Sequence, residues 1–180
     1  MLGRFTRQRI TDLEDAIGQP VVVLNGAAGG WDSTDCARRA PVLARCAPAV
    51  VVLSVGTNDC APWRQVPLDT FARNLAAVRA GFAGSDLVSF LPPTVHEPSN
   101  RAADARPARS NVALDRYRAV LRDTFSARRR LDVPELLARH SDVEVLESDG
   151  LHLTARSYDL LIPELARLVT AALADRKIRS

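Results

Sequence analysis

Asp149 stands three residues ahead of His152, and Asn58 sits in a Gly56-Thr57-Asn58-Asp59 turn that follows the apolar run Val50–Val55. Gly30 closes the Gly-rich stretch Asn25-Gly26-Ala27-Ala28-Gly29-Gly30. These residue types suit acyl transfer. A nucleophilic hydroxyl must lose its proton as it attacks; an imidazole takes that proton, and a carboxylate fixes the imidazole's tautomer and steadies its charge. His152 and Asp149 fit the last two roles, because a tight loop can fold the carboxylate back to Nδ1 and leave Nε2 facing the nucleophile. The developing oxyanion needs N–H donors. Gly30, lacking a side chain, can bring a backbone N–H close, and Asn58 offers an amide N–H.

Those residues need elements to position them. Residues 4–17 carry Phe5, Ile10, Leu13 and Ile17 at helical spacing, with Gly18 as a stop. Val21–Leu24 reads as a short strand covered on both faces. Ser33, Thr34 or Asp35 can cap a helix running to about Cys46. Val50–Val55 is the clearest strand. Pro67 suits the first turn of a helix to about Ala80, and Asp86–Leu91 is a third strand ended by Pro92-Pro93. A long Pro/Arg/Ala-rich loop over 94–109 precedes helices over 110–127 and 134–139. Val143–Leu146 is a fourth strand, and Thr154 can cap a last helix to about Asp175, with Pro163 tolerated within it.

Alternating strands and helices predict an α/β fold with a parallel sheet covered by helices on both faces. In such sheets the ligand crevice lies outside the carboxyl ends of the strands. The loops starting at Asn25, Gly56, Pro92 and Glu147 all leave from that edge, so the reactive types converge there.

Composition excludes other classes. The 180 residues are 47% hydrophobic and 25% charged, the balance of one ordinary globular domain spanning 1–180. No apolar run reaches the ~18 residues of a membrane span. The net charge of +3 is spread along mixed-charge helices, Arg128-Arg129-Arg130 included, which argues against a nucleic-acid partner. Cys36, Cys46 and Cys60 are odd in number and lack CxxC spacing, so neither a disulfide framework nor a metal site is expected. Met1–Phe5 carries no apolar signal segment, which points to the cytoplasm.

With these blocks in order, the chain resembles the SGNH (GDSL-type) hydrolase family from residue 4 onward. The family's Asn-x-x-x-x-Gly block is matched by Asn25 through Gly30, its Gly-x-Asn-Asp block by Gly56 through Asp59, and its Asp-x-x-His block by Asp149 through His152. The resemblance implies a flavodoxin-like three-layer α/β/α domain and a serine-type ester hydrolase without metal or cofactor, acting on a small-molecule ester. Gly30 and Asn58 form its oxyanion hole, His152 is its base, and Asp149 orients His152. The family's first block, Gly-Asp-Ser on the central first strand, has no match. By family spacing the nucleophile falls shortly before Met1, so the chain is expected to be N-terminally incomplete and inactive as it stands. A sheet without its central strand would carry two unpaired edges, unless a partner or a second copy supplies the strand in trans.

Other residues have plainer readings. Asp59 reads as a turn residue, Ser33 as a helix cap rather than a substitute nucleophile, and Ser54 as part of a buried strand. Cys60 reads as a packed thiol, and His96 and His140 as surface residues, with His96 on the active edge. Trp31 and Trp63 either shape a substrate pocket or pack at that edge. Asn25–Gly30 lacks the GxGxxG or GxxxxGK spacing of a phosphate cradle. The alternative function is a non-catalytic binding or assembly module that keeps the fold.

Overall fold

The computed structural model describes residues 7–99, 108–140 and 144–179. The elements run α1 (Arg7–Ile17), α2 (Ser33–Leu43), β1 (Val50–Leu53), α3 (Leu68–Gly81), β2 (Asp86–Phe90), α4 (Asn111–Thr124), β3 (Arg130–Leu131), α5 (Val133–Ala138) and α6 (Ala155–Arg179). The sheet is parallel, in the order β1-β2-β3, with Val50 opposite Asp86 and Ser89 opposite Arg130.

Local chemistry sets the helix starts. Asp32 caps α2 by accepting from the Thr34 and Asp35 N–H groups, and Asp35 reaches back to the Asp32 N–H in a capping box. Ser110 accepts from the Ala113 N–H at 3.1 Å to cap α4, and Thr154 Oγ1 accepts from the Ser157 N–H at 3.2 Å at the head of α6. Proline at position 67 immediately precedes α3, where its missing N–H costs nothing.

Strand alternation divides the core in two. Val51, Leu53 and Leu87 pack with Phe71, Leu75, Leu114 and Leu121 of α3 and α4 on one face. Val50, Val88 and Phe90 pack with Leu137, Leu161, Leu168 and Ala172 of α5 and α6 on the other. The Phe71 and Tyr117 rings meet edge to face, 5.1 Å apart, and Tyr117 donates to the Val66 carbonyl at 2.6 Å. The result is a three-layer α/β/α arrangement.

Four expectations are corrected. Val21–Leu24 is not a strand: Val22 is 87% and Leu24 63% exposed, and among the described residues no strand pairs with either this segment or the outer edge of β1. A strand needs a hydrogen-bonding neighbour about 4.8 Å away. Of the strand expected over 143–146, the described residues 144–146 form none. Residue 143 lies outside the described residues, and Leu146 makes only a single antiparallel bridge to Leu153. The strand beside β2 is instead Arg130–Leu131, only two residues long and arginine-bearing. Ser54 lies beyond the end of β1 and is exposed rather than buried.

The cap of α2 is Asp32, not Ser33, Thr34 or Asp35, and the helix ends at Leu43 before a single 3₁₀ turn. Residues 4–6 of the first expected helix and 100–107 of the long loop lie outside the described residues.

Candidate active site

The loop from Val145 to Thr154 folds back on itself. The Thr154 N–H donates to the Val145 carbonyl at 3.1 Å, the Glu147 N–H to the His152 carbonyl at 2.7 Å, and the Gly150 N–H to the Glu147 carbonyl at 2.9 Å. Within this turn Asp149 Oδ1 accepts the backbone N–H groups of Leu151 and His152, each at 2.9 Å. Its Oδ2 lies 2.5 Å from His152 Nδ1. Burial would raise the Asp149 pKa; the His152 ring and the two N–H groups outweigh it and hold the carboxyl at about 2. The pair is open to solvent, with the His152 side chain 70% and the Asp149 side chain 48% exposed. A carboxylate on Nδ1 leaves Nε2 as the ring's outward nitrogen.

Gly150 makes the turn possible. It adopts φ +66, and a Cβ there would lie 2.7 Å from the His96 carbonyl oxygen. The His96 N–H donates to the Gly150 carbonyl at 2.8 Å, so the segment after β2 braces the Asp149 loop. Asn111 holds that segment in turn: its Oδ1 accepts from the Val95 N–H at 2.9 Å and its Nδ2 donates to the Val95 carbonyl at 2.8 Å. His96 Nδ1 meets Ser99 Oγ at 2.7 Å.

The other half of the site follows β1. Asp59 is fully buried, and its carboxylate accepts the Ser33 N–H and the Gly56 N–H, each at 2.9 Å. Burial pushes its pKa up; the Ser33 side chain and the two N–H groups oppose this. Asp59 thus ties the turn after β1 to the head of α2. Ser33 is 0% exposed, and Asn74 Nδ2 donates to its Oγ at 2.9 Å, which rules it out as an accessible nucleophile in this conformation.

Asn58 Nδ2 donates to the Trp31 carbonyl at 2.8 Å, placing the amide beside the residue that follows Gly30. Gly30 itself adopts φ +79, with open space where a Cβ would stand. Its glycine identity is therefore demanded by backbone conformation rather than by crowding. Asn25 Oδ1 accepts from the Ala27 N–H at 3.0 Å and shapes the preceding loop.

Thus Asp149 and His152 are brought into contact, and Asn58 is joined to the Gly30–Trp31 segment. Arg109, which sequence reasoning missed, sits against the Asn58 half and within electrostatic reach of Asp149. Its Nε donates to the Thr57 carbonyl at 2.9 Å and its Nη2 to Asn58 Oδ1 at 3.0 Å, and its guanidinium lies 4.7 Å from the Trp63 ring centroid. One arginine among many in a Pro/Arg/Ala-rich loop carries no signal that singles it out.

Cys60 is buried, and desolvation pushes its thiol up to about 11. Among the described residues no group of three His, Cys, Asp or Glu side chains could hold a metal ion. No helix there is long and apolar enough to cross a membrane.

Residues 3–160 match the family model described as GDSL-like lipase/acylhydrolase. No curated protein sequence matches the chain. Several solved structures share its fold, three of them as follows. A lipase/acylhydrolase from Enterococcus faecalis is 23% identical, with a TM-score of 0.75 over 90% of this chain and 85% of its own. LAE5, an alpha/beta hydrolase enzyme from the metagenome of Lake Arreo, Spain, is 18% identical, with a TM-score of 0.67 over 92% of this chain and 82% of its own. TesA is 19% identical, with a TM-score of 0.64 over 96% and 89%.

Proposed function

Since the chain belongs to the GDSL-like lipase/acylhydrolase family, we propose that it is the scaffold of a serine-type hydrolase of small-molecule esters, with His152, Asp149, Asn58 and Gly30 as its working groups. The observation that carries this reading is the 2.5 Å contact between Asp149 Oδ2 and His152 Nδ1, which suits an imidazole whose Nε2 acts as base.

The chemistry runs in two balanced halves. Serine Oγ attacks the ester carbonyl carbon while His152 Nε2 takes its proton, and the carbonyl oxygen becomes an oxyanion met by the Gly30 N–H and an Asn58 amide N–H. The intermediate collapses as His152 returns that proton to the departing alkoxide, releasing the alcohol and leaving an acyl-serine. Water, deprotonated by His152, then attacks the acyl-serine; collapse reprotonates Oγ and frees the carboxylic acid. Asp149 stays ionised throughout.

The nucleophile in this reading is the serine of a Gly-Asp-Ser block, which the 180 residues do not contain. The 180-residue chain therefore turns over esters little or not at all. A protein extended ahead of residue 1 by a strand ending in Gly-Asp-Ser should hydrolyse p-nitrophenyl acetate. A well-folded extended protein inactive on every short acyl ester would count against the reading, and would favour a binding module on the same fold.

A further inference from the structure

Asn58 can serve an oxyanion only if its amide nitrogen, not its oxygen, faces the site. Rotated by 180°, the same side chain would present a carbonyl and repel the developing charge. Two contacts bear on that choice, and they agree. The Trp31 carbonyl can only accept, so the atom facing it, 2.8 Å away, is Nδ2. The Arg109 guanidinium can only donate, so the atom facing its Nη2, 3.0 Å away, is Oδ1. The Trp31 carbonyl takes one of the two Nδ2 hydrogens, which leaves the second for an incoming acceptor.

Arg109 is built for this task. It is 8% exposed. Its Nε holds the carbonyl of Thr57, the residue immediately before Asn58, so one planar group fixes both the backbone and the side-chain rotation of the donor. The Trp63 ring lies against its face. A cation on the amide oxygen also draws electron density from the nitrogen and strengthens the remaining N–H as a donor. Lysine cannot reproduce the two-pronged geometry, because its ammonium is a point charge without a fixed fork.

We propose that Arg109 is a positioning residue of the oxyanion hole, holding the Asn58 amide with its N–H toward the reacting carbonyl. The functional part of this inference rests on the ester-hydrolase reading above; the geometric part does not.

The first test needs no activity. In the 180-residue chain, the two Asn58 side-chain amide protons, assigned by their loss in Asn58→Asp, should give separate, exchange-protected NMR signals. In Arg109→Gln these should move toward the values of a freely rotating asparagine, while backbone signals of α3, α4 and β2 stay in place. Unchanged Asn58 side-chain signals in Arg109→Gln overturn the proposal.

The second test uses the protein extended ahead of residue 1 by a strand ending in Gly-Asp-Ser, with p-nitrophenyl acetate. Losing an oxyanion donor outright costs ~10²–10³ in kcat. Arg109→Gln, which leaves the donor present but misdirected, should cost roughly 10–10²-fold in kcat with KM nearly unchanged. Arg109→Lys should recover only part of that. In an Asn58→Ala background Arg109→Gln should cost nothing more, because the group it positions is gone. Full additivity of the two changes, or a loss confined to KM, would mean that Arg109 merely fastens its loop. If the parent enzyme has no esterase activity, the functional reading fails, and the amide signals still decide the geometry.

Discussion

His152 Nδ1 and Asp149 Oδ2 stand 2.5 Å apart, and the second oxygen of that carboxylate accepts the backbone N–H groups of Leu151 and His152 itself. Asp149 therefore holds its histidine by ring and backbone together. Asp149→Asn keeps the shape but presents an amide that favours the wrong tautomer. In the Gly-Asp-Ser-bearing enzyme this should lower kcat by about 10⁴-fold, with circular dichroism unchanged. A loss under tenfold would remove Asp149 from the mechanism.

Asp149 also makes stability depend on pH, and the sign is fixed. Its folded pKa of about 2 lies below the ordinary 3.8, so the unfolded chain binds more protons across that interval. The stabilisation is full above about pH 4 and is lost as pH falls through about 2. Thermal melts should show Asp149→Asn less stable than the parent at neutral pH, with the gap closing between those two values. The carboxylate is half exposed, so the gap is small.

Asn58→Ala should leave the melting temperature within a few degrees and KM little changed, while kcat falls ~10²–10³-fold. A large rise in KM with kcat preserved would place Asn58 in ground-state binding instead.

At Gly150 a Cβ meets the His96 carbonyl at 2.7 Å on a backbone with φ +66. Gly150→Ala should destabilise the protein by about 1–3 kcal/mol and depress activity through the displaced Asp149 loop. Denaturant unfolding measures the first effect. No change in midpoint would mean the loop relaxes freely.

The thiols should differ in reactivity. Cys46 is exposed, whereas burial raises Cys36 and Cys60 to about 11. Brief iodoacetamide treatment at neutral pH should modify Cys46 alone, as read by peptide mass spectrometry. Early modification of Cys60 would show that the turn after β1 opens readily.

Much of the fold was legible because its longer elements carry periodic apolar patterns. Helices α3, α4 and α6 and strands β1 and β2 fall where those patterns predict. Val21–Leu24 misled because an apolar run signals a wish for burial, and whether a strand forms depends on a neighbour that the run itself does not encode. Arg130–Leu131 was missed for the opposite reason: two residues are too few for periodicity, and their pairing with Ser89 and Phe90 is purely tertiary. In the candidate site, Asp149, His152, Asn58 and Gly30 stood out through short spacings. Arg109 reaches Asn58 across 51 positions of sequence, and no local pattern marks such a contact.

The proposed chemistry requires a serine with His152 as its base. The most direct measurement treats the protein isolated from its natural source with a fluorophosphonate and maps the modified peptide by mass spectrometry. A single label is expected on the serine of a Gly-Asp-Ser block, and none on a His152→Ala variant expressed in the same host. No label on the folded protein, a label on Ser33 or Ser99, or labelling indifferent to His152 would contradict it.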